Sequence, residues 1–199
     1  MKQLCSRTAL AIVITIAAAC ADTSNAPTKP GTAAALAQST PLASRSSNQA
    51  FGFNGEASGF PPGAVRLTGG GSFDAATASN TVPTETRVHS GGGFRCTQAV
   101  ALGPLNGCQA GEGVRWDTAQ LLASTNFKCS AADAVKPAVT GPGRVVLLAD
   151  FYRAGDGIDE SFTAQMIVSE TDLAPTIPGV QTLWIQGVGC GDANVNFSR

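Results

Sequence analysis

Histidine is almost absent from this chain, since His89 is the only one among its 199 residues. Zinc and other transition-metal sites commonly use several imidazole ligands, so the sequence excludes multi-histidine metal centres. A serine or cysteine nucleophile would also have to rely on this one residue as its general base. Multi-histidine metal chemistry is therefore closed to this protein, any catalytic triad is limited to His89, and we expect the protein to use no cofactor.

The residues around the lone histidine add little chemistry. The segment HSGGG at 89–93 resembles the oxyanion segment of some esterases. Those enzymes also need a G-x-S-x-G elbow between a strand and a helix, and the sequence contains none. We therefore expect His89 to face water on a strand, with the glycines forming a bulge or admitting a close neighbour.

Charge is also scarce, at 14% of residues, with 13 basic and 14 acidic side chains. Loss of Lys2 and Arg7 with the leader described below would leave 11 basic side chains against 14 acidic ones. Lysine and arginine form no cluster, so the cationic footprint that nucleic acids require is missing. We therefore exclude nucleic acid as a partner.

The sequence also lacks an apolar run long enough to span a membrane. Its longest run, TALAIVITIAAA at 8–19, has about twelve residues and follows the positive start MKQLCSR, as in a signal peptide. The segment AAAC at 17–20 resembles the lipobox of bacterial lipoproteins, and this resemblance implies a diacylglycerol on Cys20 after cleavage. Cleavage after ACA, leaving Asp22 first, and an uncleaved anchor are the alternatives. We expect export, either as a cell-envelope lipoprotein or as a secreted soluble protein.

Large apolar side chains are rare just after the leader. Residues 20–50 are mostly Ala, Ser, Thr and Pro, and Leu36 and Leu42 are their only large apolar members. Such a composition cannot bury enough surface to offset the entropy of ordering, so we predict a flexible tether. The predicted organisation is a signal peptide over 1–19, this tether, and one folded domain over 51–199.

The folded domain has the pattern of short strands. The chain contains 23 glycines, and apolar residues alternate with polar ones in many segments. Val65, Leu67 and Phe73 share one parity, and the same alternation extends from Val88 to Leu102. A period of two predicts antiparallel sheet with one dry face.

Three longer segments are apolar on both faces and should form the central strands: GRVVLLADFYR, ESFTAQMIVSE and GVQTLWIQGVGC. Gly- and Pro-rich breakers separate the segments at short intervals. The sequence therefore predicts a single all-β domain, a β-sandwich or jelly roll. One short helix is expected over 116–124, with Asp117 as its cap.

Four cysteines fall within this domain: Cys96, Cys108, Cys129 and Cys190. An even number of cysteines in an exported chain predicts two disulfides, and three pairings are open. A cysteine metal site is the alternative, although none of the four has the close C-x-x-C spacing typical of one. We expect all four to be oxidised and to stabilise the core.

The densest charge lies in ADFYRAGDGIDESFTAQM at 149–166. Glycine and aspartate are turn formers, so the segment predicts a hairpin with a solvated tip. Asp156, Asp159 and Glu160 are a candidate Ca²⁺ site, because several oxygens are local, although the spacing differs from an EF-hand.

A pair of carboxylates is the second chemical hypothesis for this hairpin. Asp150 and Glu160 could face each other across it, joined by Glu112 or Asp117, as the acids of a hydrolase. A cleft that gathers these acids would favour an enzyme. A flat or convex sheet with exposed aromatic rings would favour binding.

The large amphipathic rings are candidates for such a binding surface. Trp184 shares the parity of apolar neighbours and should point inward, whereas Trp116 and Tyr152 are the expected exposed pair. The favoured function is non-enzymatic: an envelope β-module with a binding or structural role toward an envelope protein or glycan, touching the membrane only through its lipid. The alternative is a secreted hydrolase that uses carboxylates around 150–160.

Overall fold

The computed structural model describes residues 48–83, 88–153 and 160–199, which belong to one compact unit, Ala43–Arg199. Its strands are β1 (Asn48–Gly59), β2 (Ala64–Asp74), β3 (Val88–Gln98), β4 (Arg115–Leu121), β5 (Ser124–Phe127), β6 (Lys136–Val139), β7 (Arg144–Arg153), β8 (Glu160–Ser169), β9 (Leu183–Ile185), β10 (Gly189–Gly191) and β11 (Ala193–Ser198). One 3-10 turn, Ala75–Thr77, follows β2. Within these ranges, no helix has the length and apolarity needed to cross a membrane.

Nine of the strands form one antiparallel sheet in the order β10-β9-β8-β7-β4-β3-β2-β1-β11. The end of β1 also pairs with β10, through Ser58 opposite Cys190, so the sheet closes on itself. Strands β5 and β6 form a separate hairpin. The prediction of a single, antiparallel, all-β domain is confirmed, and the halves of the sheet face each other across one interior, as in a sandwich.

The interior is filled by the apolar residues that alternate along the strands. Val65, Leu67 and Phe73 are all buried, as their shared parity predicts. Aromatic rings join different strands, with Phe94 and Phe151 at 5.1 Å between ring centroids. The alternation fails beyond the end of β3, where the chain turns away and Leu102 is 54% exposed, and at Val114, just before β4, which is 52% exposed.

The central strands are apolar on both faces because both faces are covered. Inward residues of β7 and β8 belong to the interior, while Val146 and Ile167 belong to a second apolar cluster on the outside of the sheet. Phe127 of β5 and Leu173, in the segment before β9, cover this cluster. Trp184 is buried in this outer cluster too. Its predicted burial is confirmed, but the prediction that it points into the interior is wrong.

The helix predicted over 116–124 is wrong, because residues 115–121 form β4. Its register pairs Trp116 with Phe151 and Asp117 with Asp150, with an irregularity between Thr118 and Gln120. Packing of the Trp116 ring into the interior outweighs the weak helical preference of this segment. Asp117 is consequently an outward-facing strand residue and caps nothing.

The glycine-rich runs of β2 and β3 make room for Trp116. In the strand register, Gly69 lies opposite Phe53 on one side and opposite Gly92 on the other. Gly92 in turn lies opposite Trp116, so the two glycines lie between Phe53 and the indole. A Cβ on Gly69 would lie 2.7 Å from Trp116 Cζ2, and one on Gly92 would lie 1.9 Å from Thr68 O. The indole Nε1–H donates to Thr68 O at 3.1 Å, so the buried ring is satisfied. These glycines therefore serve close approach, one of the two roles expected for them.

Both predicted disulfides are present, as Cys96–Cys108 and Cys129–Cys190. The first closes a loop whose Leu105 enters the interior, and the second ties the end of β5 to β10. All four cysteines are buried. The cysteine metal site is excluded, since the sulfurs are bonded in pairs.

Candidate functional site: the outward polar face

The outward face of the sheet carries two parallel rows of polar residues and glycines, called here the polar face. The first row crosses seven strands through Ser161, Tyr152, Arg115, Gly93, Thr68, Asn54 and Asn194. The second runs beside it through Thr163, Asp150, Asp117, Gly91, Gly70, Gly52 and Asn196. Because adjacent strands lie about 4.8 Å apart, neighbours within a row are in reach of one extended ligand.

Arg115 is the fixed cation of this face. Its guanidinium carbon lies 4.3 Å from the centroid of the Tyr152 ring, and its Nε donates to Asp117 Oδ2 at 3.3 Å. The arginine and aspartate side chains are 56% and 53% exposed, so the pair contributes only about 0–1 kcal/mol. Its effect is orientation, since it holds the guanidinium over the ring of the half-buried tyrosine.

Two carboxylates lie opposite each other in the second row, Asp117 on β4 and Asp150 on β7. Like charges in such positions repel, and each has a neighbour that offsets this. Arg115 pairs with the first, and the Thr163 hydroxyl donates to Asp150 Oδ1 at 2.7 Å. The arrangement can accept hydrogen bonds from a polar ligand on a water-exposed surface.

The predicted pairing of Asp150 with Glu160 is wrong. The β7–β8 register places Asp150 opposite Thr163 and Glu160 opposite Arg153. Glu112 lies near the end of this hairpin, with a carboxylate oxygen 3.7 Å from Arg153 Nη1. Of the acids expected to meet Asp150, the register brings only Asp117 beside it.

Hollows lie over two of the outward glycines of the polar face, Gly52 and Gly93. One, of about 360 Å³, lies over Gly52 and is rimmed by Asn54, Asn194 and Asn196. Another, also about 360 Å³, lies over Gly93 and is rimmed by two arginines and Thr68. An asparagine amide both donates and accepts, and arginine donates, so the rims match ligands rich in hydroxyl or acidic oxygens.

A larger cleft of about 550 Å³ lies at the β1–β10 junction, beside the Cys129–Cys190 disulfide. Its lining mixes the acids Glu56 and Asp192 with Ser58 and the apolar Ile177. These two acids belong to different elements, and the cleft offers no base or cation to complement them among its lining residues. We therefore place the candidate site on the polar face.

The two rings expected to be exposed have different positions. Trp116 is completely buried, so its assignment to a surface platform is wrong. The reason is the gap left by Gly69 and Gly92, which draws the indole inward. Tyr152 does reach the surface, half-buried on the polar face, and His89 is exposed on β3 as predicted.

The remaining predicted sites lie outside the part of the chain described. Cys20 precedes it, and Asp156, Asp159 and the Glu160 side chain fall in the gap at the β7–β8 tip. Among the residues that are described, no three His, Cys, Asp or Glu side chains form a group able to hold a metal ion. Lipidation and the calcium hypothesis both stay predictions.

The arginines and asparagines of the face were missed by sequence reasoning. They lie apart in sequence on five different strands, and only the register reveals that they meet. The outward glycines were a usable signal, because a strand position without a side chain leaves the surface open. No protein-family model, curated protein or solved structure matches this chain.

Proposed function

We propose that this protein is exported, anchored to the cell envelope by a lipid on Cys20, and binds a glycan of that envelope through its polar face. The apolar leader, the AAAC segment and the Ala/Ser/Thr/Pro stretch support the anchor. Two disulfides support an oxidising compartment, because thiols stay reduced in the cytosol. The proposed tether would hold the β-domain clear of the lipid surface.

The observation that carries the glycan assignment is the hollow over Gly52. It joins three asparagines from two strands on an open surface. Sugars present many hydroxyl groups in fixed directions, and an amide side chain can donate to one and accept from another. Tyr152, at the other end of the first row, offers an amphipathic ring edge beside Arg115.

The geometry supports binding over hydrolysis. The general acid of a hydrolase usually lies in an apolar pocket. Asp117 is 53% exposed and paired with Arg115, and Asp150 is held by the Thr163 hydroxyl. These two carboxylates are placed to orient a ligand on a solvent-exposed surface.

The test is calorimetric binding of the mature protein to a panel of neutral and acidic polysaccharides. Asn54→Ala and Asn194→Ala should each weaken binding about five-fold, which corresponds to one hydrogen bond of about 1 kcal/mol. Asn106→Ala is the matched control, since Asn106 is exposed in the loop after β3, away from the face. If no polysaccharide in the panel binds, the glycan assignment is wrong.

A further inference from the structure

We infer that the hollow over Gly93 is an anion site, in which Arg66 and Arg95 bind the acidic groups of a negatively charged glycan. This inference rests on the proposed function and names the substrate class of the same face. The group that the two arginines bind is a carboxylate or a sulfate on a sugar chain.

The first observation is the register of the two arginines. Arg66 on β2 lies directly opposite Arg95 on β3, and both side chains face outward and are exposed. Side chains in such positions have Cβ atoms about 5 Å apart, and like charges there are destabilising. Two cations opposite each other therefore disfavour the folded state unless a negative group compensates them, and a bound anion would do so.

The protein itself supplies little of that compensation. Glu56 lies opposite Arg66 on its other side, in the β1–β2 register. Within the described ranges, neither guanidinium forms an ion pair with a carboxylate, although two other arginines do, Arg115 and Arg153. Both arginines therefore keep their donors available to a ligand.

The second observation is the open floor beside the pair. Gly93 and Gly113 leave bare backbone between Arg95 and Val114, and the Thr68 hydroxyl borders it. A Cβ on Gly93 would lie 3.0 Å from Thr68 Oγ1, so any larger residue would press against the hydroxyl and narrow the hollow. The floor is thus kept clear next to two cations and one hydroxyl donor.

Arg115, the next cation along the face, is in a different state. Its guanidinium is already held by Asp117 and the Tyr152 ring. It can orient a sugar, but it has less free charge to offer an acid. The structure thus separates a polar stretch, suited to sugar hydroxyls, from a cationic hollow, suited to an acidic substituent.

The chemistry of the pair selects the ligand class. A guanidinium binds an oxyanion through two parallel hydrogen bonds, and such charge-assisted bonds are the strong ones. Two adjacent guanidinium groups can bind one acidic group together, or two successive acidic groups on a polymer. Nucleic acid would need a track of cations along its backbone. Here Arg66 has Glu56 opposite it on β1, and Arg115, the next cation along the face, is already paired with Asp117.

The experiment compares the mature protein with the Arg66→Gln/Arg95→Gln double variant. Its probes are polygalacturonate, which carries carboxylates, dextran sulfate, and neutral dextran, measured by calorimetry at low and high salt. The matched control is Arg144→Gln/Arg199→Gln, which removes the same charge at the far end of β7 and at the C-terminus. Equal melting temperatures verify that the variants are folded.

We expect wild type to bind an acidic polymer in a salt-sensitive manner, and the double variant to bind it at least about tenfold more weakly. The control variant should stay within about threefold of wild type. An unchanged affinity in the double variant overturns the inference. Equal binding of neutral and acidic polymers by wild type also overturns it but leaves glycan binding intact, whereas binding to no polymer removes both.

Discussion

A Cβ atom on Gly69 of β2 would lie 2.7 Å from Cζ2 of Trp116, which belongs to β4, two strands away in the same sheet. The indole therefore occupies the space that a side chain at this strand position would need. We predict that Gly69→Ala lowers the free energy of unfolding by about 1–3 kcal/mol through overpacking. Gly141→Ala is the control, because nothing lies within 4 Å of a Cβ there. Urea unfolding measures both, and equal midpoints would contradict the packing.

The two tryptophans should report burial directly. Trp116 and Trp184 are 0% and 6% exposed, in the interior and in the outer apolar cluster respectively. We predict a blue-shifted native fluorescence that iodide quenches poorly and that shifts red on unfolding. Efficient quenching of the folded protein would place one ring at the surface and restore the Trp116 platform.

All four domain cysteines should be oxidised, with unequal effects on stability. The Cys96–Cys108 bridge closes 12 residues and the Cys129–Cys190 bridge closes 61. Loop-closure entropy then predicts about 3 kcal/mol for the first and about 4 kcal/mol for the second. Two double Cys→Ser variants, one for each bridge, are unfolded in urea. Their losses in the free energy of unfolding give the ranking of the two bridges.

Alkylation of the unfolded, unreduced mature protein, followed by mass spectrometry, checks the oxidation state itself. We expect none of the four cysteines to be labelled before reduction and all four after it. Labelling of two or more before reduction would contradict the disulfides.

The leader predicts a lipid on Cys20. The native protein should partition into detergent, and its intact mass should include a diacylglycerol, because two acyl chains anchor stably. Cys20→Ser should release a soluble form. A soluble wild-type protein that begins at Asp22 would show simple secretion, and the glycan proposal would then apply to a free protein.

The features that the sequence predicts correctly, the core residues and the central strands, follow from local patterns of apolar residues. Period-two alternation places Val65, Leu67 and Phe94 in the core, and the double-sided apolar segments identify β7 and β8 as central. Both features depend only on neighbours in the chain, and the sequence displays those neighbours directly.

The incorrect predictions involve residues distant in sequence. Trp116 turns inward because Gly69 and Gly92, on two other strands, leave it space. Closure of the sheet depends on Ser58 meeting Cys190, far along the chain. The Arg66–Arg95 pair depends in the same way on the β2–β3 register, which follows from the assembled fold.

Amide shift mapping tests the central claim, glycan binding by the polar face, most directly. Isotope-labelled mature protein would be titrated with the best-binding polysaccharide and followed by two-dimensional NMR. We predict that the shifts concentrate on Gly52, Gly93, Thr68 and their row neighbours, while the β5–β6 hairpin stays unchanged. Amide shifts confined to that hairpin or to the β1–β10 cleft, with no shifts on the polar face, would contradict the account.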